Sequence, residues 1–148
     1  MIILRDTDEK EGRWDFDLNS YSDVQFEIVD EELLVGDYTT PRLRADRILA
    51  VEKKTIGELC GCVTGDRERF QEQVRQMSET LRVGYVVING HWKNRRNDMQ
   101  KTIIRTMISW TQRWPNVHWH FFEIDAGAEA FCFRILDLGE RNLSEGKL

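Results

Sequence analysis

The sequence predicts an α/β fold, a mixed sheet with helices on both faces. Two patterns predict it. Short apolar runs rich in β-formers recur along the 148 residues, and between them apolar residues return at helical spacing. The order is four strands, two helices, then strand, helix, strand, helix, which suits layers of helix packed on a sheet.

Ile2-Ile3-Leu4, closed by Arg5-Asp6, reads as the first strand. Residues 7–23 are polar and acidic, with Trp14, Phe16 and Leu18 alternating, and read as a loop or irregular helix. Residues 24–29 alternate with Phe26 and Ile28 on one face, and residues 32–38 form a second such run ending at Gly36-Asp37. Pro41 and three arginines mark 39–46 as a hairpin connection. In the strand 48–54, Leu49 and Val51 share one face, while Ile48, Ala50, Glu52 and Lys54 share the other. That second face is apolar at one end and charged at the other, as expected of a strand leaving the core at a site.

Thr55 is an N-cap for a helix over 56–63. Asp66 caps a helix over 67–82, in which Phe70, Val74, Met77 and Leu81 form one stripe. Residues 83–89 are apolar and strand-like, closed by Asn89-Gly90. A helix over 97–113 carries Met99, Ile103, Thr106, Met107 and Trp110, and stops at Pro115-Asn116. Residues 117–122 read as a strand, and Asp125 caps a last helix over 126–139 with a frayed tail beyond Glu140.

The length suits one domain over 1–148. No apolar run approaches the ~18 residues of a membrane span. The first residues lack the pattern of a secretory signal, and three cysteines leave one unpaired within the chain. Both point to a reducing setting, cytoplasmic or nuclear. The net charge of −5 is unevenly spread: residues 1–38 carry −9, residues 42–105 carry +6 and residues 106–148 carry −2. Screening over ~8 Å makes the local patch matter more to a phosphate than the total.

Within the basic stretch stand Glu52, Lys53 and Lys54, fifteen residues beyond Asp37. On a strand Glu52 and Lys54 lie side by side and Lys53 turns away. A carboxylate there can hold a divalent cation, and an ammonium beside it can hold a water or a phosphate oxygen. That set suits metal-dependent phosphodiester hydrolysis. Asp6 and Glu9 are further acids within reach of such a site. Arg42, Arg44 and Arg47 are candidate DNA contacts, as is the basic loop holding His91, Trp92, Lys93, Arg95 and Arg96. His118 and His120 share a strand face but have no third ligand nearby in the sequence, so they read as structural.

Taken together the motifs resemble the XPF-type structure-specific endonuclease domain, within the PD-(D/E)XK nuclease superfamily. The residues that carry the resemblance are Gly36-Asp37, then Glu52-Lys53-Lys54 where the family has Glu-Arg-Lys, then Glu58 where it has an acid. Asp6-Thr7-Asp8-Glu9 stands for the opening Asp-x-Arg-Glu, and Arg69 with Gln73 matches an Arg and a Gln four residues later. The resemblance implies a restriction-endonuclease-like three-layer fold around a mixed sheet of about six strands. It implies Mg²⁺ or Mn²⁺ on Asp37, Glu52 and the main-chain carbonyl of Lys53, with Lys54 catalytic and Asp6, Glu9, Glu58, Arg69 and Gln73 in support. It also implies branched DNA as partner and a homodimer, for which Trp110, Trp114, Phe131 and Phe133 are candidate interface residues. The helix-hairpin-helix module of many relatives has no counterpart here, so a separate DNA-targeting protein is a further expected partner. Asp8, Lys53 and Glu58 depart from the family pattern. Two other readings are a noncatalytic module binding DNA or a nuclease partner, and another PD-(D/E)XK enzyme such as a Holliday-junction resolvase or restriction enzyme.

Overall fold

A computed structural model of the chain describes residues 1–17 and 20–148. Leu18 lies outside the described residues. Six strands form one mixed sheet in the order β2-β1-β3-β4-β5-β6. They are β1 (Ile2–Asp6), β2 (Glu27–Glu31), β3 (Tyr38–Thr39), β4 (Leu49–Thr55), β5 (Val83–Asn89) and β6 (Val117–Phe122). The pairs β1/β2, β4/β5 and β5/β6 are parallel, and β3 runs antiparallel to both β1 and β4. The helices are α1 (Pro41–Ala45), α2 (Ile56–Cys62), α3 (Arg67–Thr80), α4 (Asn97–Arg113) and α5 (Asp125–Ser144).

Strand alternation sorts the side chains into two cores. Leu49, Val51 and Val87 pack with Tyr38, Phe133 and Leu136 under α5, joined by Trp14, Phe16 and Tyr21 from the long N-terminal segment. Ala50, Val86 and Ile88 pack with Phe70, Val74, Ile103 and Trp110 under α2, α3 and α4. The result is a three-layer α/β architecture. Two glycines let helices approach it. A Cβ on Gly84 would meet Met77 Sδ at 2.4 Å, and one on Gly90 would meet Ile56 Cγ2 at 2.4 Å.

Four local expectations are corrected. Residues 32–37 form a loop rather than a strand, so β3 is only two residues long. Two local constraints bend the chain there: the Leu33 amide donates to Asp6 Oδ1 at 2.9 Å, and Gly36 has φ +76°. Residues 41–45 form a helix rather than a hairpin connection. Thr40 caps it through the Leu43 amide, and Pro41 occupies its first turn, where a missing N–H costs nothing. The strand expected over 24–29 lies at Glu27–Glu31. Finally, α5 runs on to Ser144 because Leu143 packs on the core and Arg141 pairs with Asp137 at 2.9 Å.

Helix α1 ends in a Schellman turn. Ile48 N bonds Leu43 O at 2.8 Å and Arg47 N bonds Arg44 O at 3.0 Å. The residue that takes the left-handed conformation in that turn is Arg47, with φ 53°. Glycine is the usual occupant, and a side chain there costs about 1 kcal/mol.

Candidate active site

Asp37 is positioned by the edge it shares with β4. Its amide donates to Val51 O at 2.7 Å, and its carboxylate accepts from the Lys53 amide at 2.7 Å. Both of these β4 groups lie on the strand edge that faces β3. A residue's N–H and C=O leave a strand on the same edge, so the Lys53 carbonyl emerges beside Asp37. Asp6 is tied to the same corner, its amide donating to Asp37 O at 2.8 Å.

Glu52 and Lys54 share the α3 face of β4. Lys54 Nζ lies 3.3 Å from Glu52 Oε1, with only 15% of each side chain exposed. Lys54 also sits over the Phe70 ring, 5.4 Å from its centre. Asp6, Asp8, Asp37 and Glu52 line one cleft of about 220 Å³ with Gln73 of α3. A second cavity of about 300 Å³ is lined by Lys54, Glu58, Arg69 and Gln73, so Gln73 stands between the two.

Burial and crowding of like charge set the electrostatics of the cleft. Burial pushes Asp37 well above the usual carboxylate range, and the charge of Glu52 pushes it further, against the Lys53 amide. Burial also raises Glu52, opposed by Lys54. For Lys54, burial pulls the ammonium down, but the charges of Glu52, Cys62 and Asp37 and the hydrogen bond to Glu52 together outweigh it, and the net shift is upward. Lys54 is therefore a fixed cation at neutral pH, suited to steadying negative charge rather than to taking a proton.

Lys53 turns to the opposite face. It is buried, its ammonium donates to Gly12 O, it lies 3.7 Å from Glu9 Oε2, and it sits over the Trp14 ring at 5.3 Å. Glu9 is thus held on the far side of β4 from Glu52, where it also accepts from the Tyr38 hydroxyl at 3.2 Å. Tyr38 in turn accepts from the Trp14 amide at 2.9 Å. The roles of Tyr38 and Trp14 as clamps on this corner had no local sequence signal beyond their aromatic character.

Other residues singled out from the sequence are more dispersed. Glu58 completes a capping box: its carboxylate accepts from the Thr55 amide at 3.1 Å and its own amide donates to Thr55 at 3.1 Å. The Thr-x-x-Glu spacing was the available signal for that role. Arg42 faces α5, with Glu140 at 3.2 Å and Ser144 at 2.9 Å. Arg44 pairs with Glu31, and it lines a cavity next to the cleft together with Arg47. Lys93 pairs with Glu123 and Arg96 with Asp98 at 3.6 Å, while Arg95 is exposed. This loop follows β5, whose end pairs with the end of β4 at Asn89 and Thr55. It therefore lies at the same sheet end as Lys54. His118 and His120 flank Tyr85, with ring centres 5.6 and 6.1 Å away. Trp110, Trp114 and Phe133 are buried in the cores, which corrects their assignment to an interface; only Phe131 is partly exposed.

The donors around Asp37 are two carboxylates and a carbonyl, all hard oxygens. No group of three or more His, Cys, Asp or Glu side chains among the described residues is placed to hold a metal. The set fits a cation that takes one or two carboxylates and keeps several waters, and such a charge relieves the repulsion between Asp37 and Glu52. Among the described residues no helix is long and apolar enough to cross a membrane.

This fold and corner define an XPF-type nuclease domain. The ERCC4 domain model matches residues 6–126, and the chain belongs to that family. Its fold is similar to that of XPF from Aeropyrum pernix solved in complex with DNA, with TM-score 0.75 and 15% identity over 95% of this chain and 65% of that one. A second structure of XPF from Aeropyrum pernix gives TM-score 0.76 and 15% identity over 94% of this chain and 61% of the other. The chain thus spans less than two thirds of the length of these relatives. Comparison with curated proteins gave no significant match.

Proposed function

We propose that the chain is a metal-dependent DNA endonuclease that hydrolyses phosphodiester bonds at branched or flap DNA, in repair or recombination. One observation carries this reading. Two mutually repelling, half-buried carboxylates, Asp37 and Glu52, meet a lysine ammonium in a cleft of an ERCC4-family fold. A noncatalytic DNA-binding module has no use for that arrangement, which is unfavourable without a cation.

Mg²⁺ or Mn²⁺ would be held by Asp37, Glu52 and the Lys53 carbonyl, and when bound supplies polarisation of the phosphate and of a water. Lys54, held by Glu52, neutralises charge that develops on the phosphate oxygens. Gln73, reaching both cavities, is a donor that can orient the phosphate between Glu52 and Lys54. Arg69 adds a cation along the strand leaving the site. The exposed Arg95 and its neighbours at the same sheet end supply sequence-independent phosphate contacts. Asp6 supports the corner by holding Leu33, and Glu9 supports it by holding Lys53.

The unit that cuts is residues 1–148, whose six strands share one sheet, and it works as a homodimer. A groove of about 510 Å³ supports the dimer; it lies between α4 and the edge strand β6 and is lined by Ile104, Met107, Ile108 and Trp119. The three free thiols support a reducing home, cytoplasmic or nuclear. A separate protein that supplies DNA targeting remains part of this reading.

The test uses labelled flap, fork, four-way and linear duplex DNA with Mg²⁺, Mn²⁺ or EDTA. Metal-dependent cuts in the branched DNAs, lost at least 100-fold in Glu52→Ala and Lys54→Ala, are expected. Binding with no cut, unchanged by Glu52→Ala, sinks the reading in favour of a noncatalytic module. Cutting of linear duplex at one sequence moves it to a restriction enzyme.

A further inference from the structure

We infer that the cavity beside the cleft receives one unpaired nucleotide of the DNA, with Arg47 at its mouth as the phosphate contact. This rests on the nuclease reading above and names its substrate more closely. The cavity measures about 470 Å³ and lies between residues 32–35, the end of α3 and the turn after α1. Leu33, Leu34 and Val35 form a wall common to it and to the cleft. Ala50 lines the cavity and Glu52 lines the cleft. Two residues apart on one face of β4, they are ~6.6 Å apart, which is about two nucleotide rises of ~3.4 Å. A strand whose phosphate sits at Glu52 therefore reaches the cavity two nucleotides on.

The chemistry of the walls selects an unstacked base. Leu33, Leu49 and Leu81 offer apolar surface, which a base face accepts and a paired backbone does not. Leu34, 89% exposed, projects from the shared wall, where it can part a base from its stack. At the rim, Arg44 is already neutralised by Glu31. No side chain among the described residues pairs with Arg47. That unpaired cation is also the residue in the left-handed position of the α1 Schellman turn, where glycine is less strained. A long cation kept at a strained position, facing an apolar cavity that adjoins a cleft for a scissile phosphate, is explained by a phosphate to hold.

The experiment compares flap DNA carrying 2-aminopurine at the first unpaired position with a matched duplex, in Ca²⁺ to slow cleavage. It uses the full chain, Arg47→Gly and Leu34→Asp. The proposal expects Arg47→Gly to melt about 3 °C higher than the wild type yet bind flap about tenfold more weakly, with duplex binding little changed. Leu34→Asp is expected to remove the 2-aminopurine fluorescence change on binding. If Arg47→Gly binds flap as the wild type does, Arg47 is only a strained cap and the proposal falls. An equal loss on flap and duplex also overturns it, by making Arg47 a general phosphate contact. A wild type that cuts branched DNA with no 2-aminopurine change removes this site alone. A wild type that neither binds nor cuts any DNA removes the nuclease reading with it.

Discussion

Asp37 is strained electrically rather than sterically. Its carboxylate keeps one hydrogen bond, from the Lys53 amide, but burial and the Glu52 charge both oppose its ionisation. An asparagine oxygen can accept the same hydrogen bond without the charge. Asp37→Asn is therefore expected to stabilise the metal-free protein by about 1 kcal/mol above neutral pH, read as a rise of ~2–4 °C in melting temperature. The sign with pH follows from linkage. The native state binds this proton more tightly than the unfolded chain does, so the wild type loses stability as pH rises from the unfolded value through the folded one. The asparagine variant should lack that loss. Adding Mn²⁺ should raise the melting temperature of the wild type and leave Asp37→Asn nearly unmoved; an equal rise in both would remove Asp37 from the ligand set. Lys53 teaches a related lesson. Alternation alone turns it away from Glu52, yet only packing makes it a buried ammonium tied to Gly12, Glu9 and Trp14.

Elements were legible where the local pattern was also the tertiary one. The strands over 83–89 and 117–122 and the helix over 97–113 lie where periodicity puts them. The segment 32–37 misled because Leu33, Leu34 and Val35 are β-rich, while the contacts that bend it are distant in sequence. Gly36 is the pivot. Its φ is +76°, and a Cβ there would meet Ala50 Cβ at 2.8 Å and Val51 O at 3.2 Å. Gly36→Ala should cost about 2–3 kcal/mol, from left-handed strain and from pressure on backbone that cannot yield. Because it pushes Asp37 off β4, cleavage should fall more than melting temperature alone accounts for. Urea melts and single-turnover rates measured below the melting range test that split, and normal rates in the surviving folded protein would contradict it. Helix α1 was missed for a different reason. Thr40-Pro41 carried a helix start, but Arg42, Arg44 and the nearby strand 48–54 suggested a connection.

At the scale of the molecule, charge and apolar surface are segregated. The acidic N-terminal quarter supplies the exposed edge strand β2 and the segment clamped by Trp14, while the exposed basic residues of 91–105 lie near the opposite edge. That opposite edge, β6, carries the apolar groove with α4, in which Trp119 Nε1 is buried with no partner among the described residues and Ile108 is 55% exposed. If two copies meet there, sedimentation equilibrium at micromolar concentration should give twice the chain mass, and Ile108→Glu should return it to a monomer with an unchanged melting profile at low concentration. A wild-type monomer at high micromolar concentration removes the dimer. The sequence alone carried the α/β class, the side-by-side pairing of Glu52 with Lys54 and the family resemblance, because strand alternation and short motifs are local. Tertiary structure decided which acids share the cleft, that Glu9 serves Lys53 on the opposite face, and that Trp110, Trp114 and Phe133 are core. Those outcomes depend on which distant segments pack against each face of the sheet, and no local pattern encodes that.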